Sequence, residues 1–381
     1  MKVTKVEIFD IECPKRPQWN PVFVRVYTDE GITGVGEAGL AYDWGHSAAA
    51  HMIKEIAEAM LIGFNPFHTE LLWSRMLREG FWGLGGGPVI YAAMSAIDTA
   101  LWDIHAKRAN KSVCQLLGGN TDSVPVYASS MQREITPEAE AERFLELKER
   151  YGYKAFKFRV GRECGHDLDQ WPGRTEAIVK QVRQVLGDDV ALLVDANSTY
   201  TPAKAIEVGH MLQDYGVSHF EEPCPYWEPD WTRQVKDALD IDISGGEQDN
   251  DMRIWKHMID TQVVNIVQPD VCYMGGITRT LEVARLAQQA NLPVTLHSAN
   301  LSLVTLFSAH IMGSISNAGK YLEFSIEGLD YYPWQDNIFS PSFKIVKGRL
   351  LMNHKPGWGI EVNPDWLSQS KYQVSHVGSR L

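Results

Sequence analysis

No C-x-x-C pair occurs in this sequence, and its five cysteines (Cys13, Cys114, Cys164, Cys224 and Cys272) are odd in number and widely spaced. That pattern excludes a zinc ribbon or disulfide framework and suits a reducing cytoplasm, with all five thiols read as structural. Clustered Lys and Arg are also missing, and the formal net charge is −12. An acidic chain without a basic patch argues against a nucleic-acid or anionic-membrane partner. No apolar run is long enough to cross a bilayer, and the opening MKVTKVEIFD carries charges through its apolar positions, so it reads as neither signal peptide nor span. The glycine run FWGLGGG, residues 81–87, lacks the strand-to-helix context and the Lys-Ser/Thr ending of a phosphate loop.

What is present is enough apolar residue for a large core. With 381 residues, 44% hydrophobic and 22% charged, one large domain plus a smaller one is expected. Residues 1–122 open with alternating apolar and polar stretches around a DEG turn, then show helical periodicity in SAAAHMIKEIAEAMLIG and VIYAAMSAIDTALWDIHAKRAN. This predicts an α+β domain beginning with an antiparallel sheet. From 123 to 335 the rhythm changes to short apolar runs separated by amphipathic stretches: VPVYASS, KAFKFRV, VALLVDAN, VSHFEEP, DISGGEQ, VVNIVQPD, PVTLHSAN and KYLEFS. Eight strands alternating with helices predict an α/β parallel barrel of the TIM type. Thr136-Pro137 and Thr201-Pro202 are expected to start helices, Thr capping and Pro taking the first position. Residues 336–381, including FKIVKGRLLMNHKPGWGIEV, return to short strands expected to pack back on the first domain.

At the end of each later strand stands a residue able to bind a cation or move a proton: Asp195, Glu221, Glu247, Asp270, His297 and Glu323. Their intervals of 26, 26, 23, 27 and 26 residues approximate one strand-loop-helix unit each, which places all six around one mouth of the barrel. Any one acid could simply cap the next helix. Three equally spaced carboxylates, Asp195, Glu221 and Glu247, repel one another unless a cation joins them, and oxygen ligands select a hard ion, so one Mg²⁺ is expected. Asp270 and His297 end neighbouring strands, so the carboxylate can hold one ring nitrogen and leave the other for acid-base work. Glu222 and Asp249 are read as loop or salt-bridge residues. His105, His210, His257 and His310 fall in helical stretches and are read as satisfied barrel histidines, and His219, one layer deeper than Glu221, is read as core. On the strand KAFKFRV, Lys157 and Arg159 share the face opposite Phe156, Phe158 and Val160. They would face the acids of the next strand and hold an anionic substrate, unless they are merely a salt-bridge pair.

The order and spacing of GITGVGEAG, SAIDTALWDIHAK with QLLGG, KFR, VDAN, FEEP, GGEQ, QPDVCYMGGIT, LHSAN and PGWGIEV resemble the enolase superfamily, in its mandelate racemase branch of acid-sugar dehydratases. The resemblance covers nearly the whole chain. It implies an α+β capping domain over a modified (β/α)7β barrel, with Mg²⁺ on Asp195, Glu221 and Glu247. A substrate carboxylate would chelate the ion, a base would remove the proton α to it, and an enediolate would form. By position, Lys157 would stabilise the enediolate, Asn197 would contact the α-hydroxyl region, Asp270 and His297 would be the dyad, and Glu323 would bond the carboxylate. Substrate-binding residues in the cap would be Arg16, Trp19, Tyr42 and His46, with Trp82 from the glycine-rich segment. A symmetric homo-oligomer is also implied.

One position departs from the branch. Many members carry Lys-x-Lys at the end of the second barrel strand, and here the second position is Arg159. A guanidinium is always charged and is a poor base. Racemisation needs two proton carriers, one for each face of the α-carbon, whereas dehydration can proceed with His297 alone. The expectation is therefore an Mg²⁺-dependent dehydratase of an aldonate or aldarate, giving a 2-keto-3-deoxy acid. A racemase or epimerase and a non-catalytic sugar-acid binder are the alternatives. The segment 161–174 either reaches over the mouth or is an ordinary surface loop.

Overall fold

The computed structural model describes residues 1–13, 20–40, 44–80 and 86–376. Arg16, Trp19, Tyr42 and Trp82 lie outside them. The chain opens with three antiparallel strands, β1 (Val3–Ile11), β2 (Val22–Thr28) and β3 (Thr33–Ala38). Helices α1 (His46–Ile56), α2 (Thr69–Glu79) and α3 (Pro88–Arg108) follow. The stretch expected as one helix after His46 ends in a π-helical turn, Ala57–Leu61. Val6, Ile8, Val24 and Val26 alternate onto the buried face of the sheet, where Ala96, Ile97, Ala100 and Leu101 of α3 cover them.

After a short α4 (Val113–Leu116), seven parallel barrel strands alternate with helices. These are β4 (Ser123–Ser129), α5 (Pro137–Tyr151), β5 (Ala155–Arg159), α6 (Arg174–Leu186), β6 (Ala191–Asp195), α7 (Pro202–Asp214) and β7 (Val217–Glu221), then α8 (Pro229–Ala238), β8 (Asp242–Gly245), α9 (Met252–Asp260), β9 (Ile266–Val267), α10 (Ile277–Gln289), α11 (Leu303–Met312) and β10 (Leu322–Ser325). Strand β10 pairs with β4, which closes one seam. The stretch PVTLHSAN, expected as a full strand, joins only by single bridges, Val267 to Val294, Asp270 to His297 and Val294 to Ala318. Too few consecutive residues pair there for a ladder, yet the ring of backbone contacts is completed. The fold is an α/β modified TIM barrel, (β/α)7β, with an α+β cap.

The alternation of KAFKFRV decides what faces the lumen. Phe156 and Phe158 point outward under α5, with ring centroids 5.0 and 6.2 Å from Phe144. Fully burying each such ring contributes about 1.5–3 kcal/mol. Lys157 and Arg159 are left facing inward. Thr136 caps α5 as expected, accepting from Ala139 N. Thr201 does not cap α7, because its hydroxyl donates to Asp167 Oδ2 at 3.0 Å instead.

The last segment divides its contacts. Strands β11 (Phe339–Ser340) and β14 (Glu361–Val362) pair with each other, and β12 (Ile345–Val346) and β13 (Arg349–Leu351) extend the barrel sheet beside β4. After α12 (Pro364–Ser368), β15 (Ser370–His376) joins the cap sheet along β1. The stretch from Phe343 to Val362 thus divides: its hairpin is held by the barrel, while Gly357 bonds Lys111 O and Val113 N of the first domain and Trp358 bonds Asp103 and Val35 O. Polar groups dock the cap on the barrel mouth. Glu37 accepts from Ser302 Oγ at 2.7 Å and Val304 N at 3.1 Å, and Asp98 accepts from Thr278 N at 3.0 Å. Burial pushes the Glu37 carboxyl up to about 8.

Candidate active site

The C-terminal ends of the barrel strands bring Lys157, Arg159, Asp195, Glu221, Glu247, Asp270, His297 and Glu323 together, all buried. Asp195 ends β6, Glu221 ends β7, and Glu247 follows β8 after two glycines. Gly246 sits at φ +114° with its missing Cβ 2.3 Å from the Trp255 ring, so no larger residue fits and the turn carries Glu247 to the mouth. Asp195, Glu221 and Glu247 each offer an oxygen within 4.8 Å of the other two.

Lys157 makes its shortest ion pairs across the lumen, beyond its neighbouring strand. Its Nζ lies 2.8 Å from Glu221 Oε2, 2.8 Å from Glu323 Oε1 and 3.7 Å from Asp195 Oδ2. Burial works against its charge, but Glu221 and Glu323 outweigh it and raise the ammonium pKa. The same ammonium, against the cost of burial, holds Glu221 well below the usual carboxylate range and Glu323 down at about 2. Arg159 does pair with the adjacent strand, through Asp195, and donates to Ser130 O at 3.0 Å and Asn197 Oδ1 at 3.0 Å.

Asn197 adopts φ +44° just past β6, with its backbone N–H donating to Asp195 Oδ1 at 2.8 Å. Its amide oxygen also accepts from Arg133 at 2.6 Å. Glu323 is fixed by Ser129 Oγ at 2.7 Å and Ser298 N at 2.9 Å.

His297 Nδ1 lies 2.7 Å from Asp270 Oδ2, and Asp270 Oδ1 accepts from the backbone N–H groups of Cys272 and Tyr273. With Nδ1 donating to this fixed carboxylate, Nε2 is left to face the site, 3.4 Å from Glu247 Oε2. Burial favours the neutral ring, but Glu247, the Asp270 hydrogen bond and Glu323 lift His297 to about 10.

Five carboxylates (Asp195, Glu221, Glu247, Asp270 and Glu323) thus face two permanent cations, Lys157 and Arg159, with His297 a third when protonated. The deficit of positive charge falls beside Glu247. Three converging oxygen donors and that deficit fit a divalent hard cation, and one held there would lower the field that keeps His297 protonated.

A cavity of about 200 Å³ opens above these groups, lined by Arg159, Asn197, Glu247 and His297 among others. A larger cavity of about 600 Å³, between α2 and α10, holds none of the residues that carry chemistry. His46 does not reach the cavity: it begins α1, and its Nε2 is 3.6 Å from Asp10 Oδ1 in the cap.

Two protein-family models match the chain: the mandelate racemase / muconate lactonizing enzyme N-terminal domain over residues 9–118, and the enolase C-terminal domain-like model over residues 139–366. The chain belongs to the mandelate racemase branch of the enolase superfamily. A relative in this family from Roseobacter denitrificans, provisionally described as a racemase, has a solved structure that is 47% identical, with TM-score 0.92, covering 99% of this chain and 100% of the other. An L-talarate dehydratase from Polaromonas sp. JS666, solved with Mg and L-glucarate, is 25% identical, with TM-score 0.84, and the match covers 98% of this chain and 99% of that one. The arabinonate dehydratase of Saccharolobus solfataricus is 28% identical over 90% of this chain and 88% of its own length.

Within this family site several residues escape a reading by strand ends. Gln268 donates to Glu221 Oε2 at 3.0 Å, and its place two residues before Asp270, on the same face, was the available signal. Glu222, expected as a loop or salt-bridge residue, is buried in the cavity wall; burial, with Glu247 and Glu221 adding, pushes its carboxyl well up. Asp249, read the same way, sits in a turn closed on Gly246 O, and burial raises its carboxyl to about 7. Arg133 carried no sequence signal, because it lies on a loop without periodicity. Cys164, expected as a structural thiol, is exposed at the cavity, while the other four cysteines are buried.

Proposed function

We propose that the protein dehydrates a sugar acid, an aldonate or aldarate, with one Mg²⁺ held by Asp195, Glu221 and Glu247. The observation that carries this reading is the fixed Asp270–His297 dyad, whose ring lines the cavity beside Glu247, one of three converging carboxylates, with Nε2 3.4 Å from Glu247 Oε2. The dehydratases of arabinonate and L-talarate among its relatives support the reaction class. Bound there, Mg²⁺ supplies Lewis acidity to the substrate carboxylate.

His297 Nε2 removes the proton from C2, and the electron pair moves toward the carboxylate. Lys157, paired with Glu323, faces that carboxylate, the ammonium countering the charge that develops on it and Glu323 limiting its orientation. The C3–OH bond then breaks as the oxygen takes the proton back from His297 and leaves as water. The resulting enol tautomerises to a 2-keto-3-deoxy acid. Arg159 stays charged throughout and holds Asn197 and the substrate side of Asp195 in place. The reading carries a small sugar acid as partner and a symmetric homo-oligomer as the assembled form.

His297→Asn tests this directly. It is expected to lower turnover to a 2-keto acid by about 10²–10⁴ and to abolish exchange of the C2 hydrogen in D₂O. Retained exchange would assign the base to another residue. A racemase or epimerase is the second reading, favoured by the description of the Roseobacter relative. It predicts inverted, deuterated substrate and no 2-keto acid.

A further inference from the structure

The segment 161–174 leaves β5 at the mouth and returns at α6, and its anchors hold it against the site. Cys164 N donates to Asn197 O at 3.0 Å, and Asp167 N to Thr199 O at 3.0 Å. The Asp167 carboxylate accepts in turn from Thr201 N at 2.6 Å and Thr201 Oγ1 at 3.0 Å. Cys164, His166 and Asp167 all sit at positive φ, 47°, 49° and 69°, a conformation that persists in non-glycine residues only where surroundings impose it. The segment is therefore a built wall, and it presents Glu163 and Cys164 to the catalytic cavity beside Ser198 and Tyr226.

The charge of that wall is informative. Among the described residues that line the cavity, Arg159 is the only permanent cation, and it is engaged at the chemical end by Asp195, Asn197 and Ser130 O. Arg133 stands behind the wall and donates to the carbonyls of Val160 and Gly161 and to Asn197. The wall offers a carboxylate and a thiol, and Ser198 and Tyr226 beside it add a hydroxyl and a phenol. Sugar hydroxyls can donate to such groups, whereas a second carboxylate would meet Glu163 with no counter-cation among the described residues that line the cavity.

We infer that the 161–174 wall, through Glu163, selects sugar acids with a single carboxylate, aldonates over aldarates. The inference rests on the sugar-acid reading of the site. It is tested by binding, so that it can fail separately. Cys164 is the exposed thiol of the chain, and its labelling by N-ethylmaleimide, followed by mass spectrometry on the full chain with Mg²⁺ present, reports occupancy of the wall. Aldonates are expected to slow the labelling at about tenfold lower concentration than aldarates of equal length, the size of one poorly screened charge repulsion. Glu163→Gln, an exposed change that leaves the wall's anchors in place, is expected to narrow that gap. Aldarates protecting as well or better in the native protein, an unchanged ratio in Glu163→Gln, or labelling that no sugar acid slows would each overturn the inference. Protection by aldonates without turnover of any sugar acid would sink the dehydratase reading and leave the wall's selectivity standing.

Discussion

At the residue scale the decisive position is Arg159. A lysine there could lose its proton beside other cations and serve as a second base, but a guanidinium keeps its charge at any working pH. The surroundings use that permanence, since Arg159 bonds Ser130 O and Asn197 and pairs with Asp195 at once. Arg159→Lys loses the planar fork and reaches fewer of these partners. Dehydration is expected to fall about a hundred- to a thousandfold, a loss of the size seen when one preorganised donor is removed. Substrate recovered from D₂O is expected to show slow deuterium incorporation with inversion, because an amine now faces the second side of C2. Proton NMR of recovered substrate checks this. Inversion already present in the native enzyme would contradict the one-base account.

At the element scale α11 shows how a chemically able residue is put out of use. All ten of its residues are buried, as expected of a helix without a polar face. His310 lies on it with Nδ1 accepting from Cys114 N at 3.0 Å and its ring edge-on to Trp358, centroids 5.3 Å apart. Burial, with His354 adding, pulls its pKa from 6.5 down to about 3. The folded state therefore keeps the ring neutral where the unfolded chain protonates it. Stability from this group is complete above about pH 6.5 and is lost as the pH falls toward 3. At pH 5 the loss relative to pH 7 is expected to be about 2 kcal/mol. Denaturant titration at the two pH values should show this loss in the native protein, and a smaller one in His310→Gln. Equal losses in both would place the acid sensitivity elsewhere.

At the scale of the whole molecule, the barrel gathers five carboxylates around two permanent cations, and the cap closes over them through Glu37, Asp98 and Asp103. Such a surplus of buried negative charge opposes folding until a cation joins it. Mg²⁺ at a hundred times its Kd is expected to raise unfolding free energy by about 2.7 kcal/mol. EDTA should reverse the gain and Glu247→Gln should blunt it, both visible as shifts in Tm. A native protein indifferent to Mg²⁺ would remove the cation from the account. Much of this arrangement was legible in the chain. Alternation in KAFKFRV sent Lys157 and Arg159 inward, and a repeat of about 26 residues put Asp195, Glu221, Glu247, Asp270, His297 and Glu323 at one mouth, because strand pleat and unit length are local properties of sequence. The partners were not local. That Lys157 bonds Glu221 and Glu323 across the lumen, that Glu222 turns into the cavity, and that the 161–174 segment supplies a wall all depend on which strands become neighbours when the barrel closes. Periodicity assigns a side chain to a face, and only closure of the ring decides what stands opposite it.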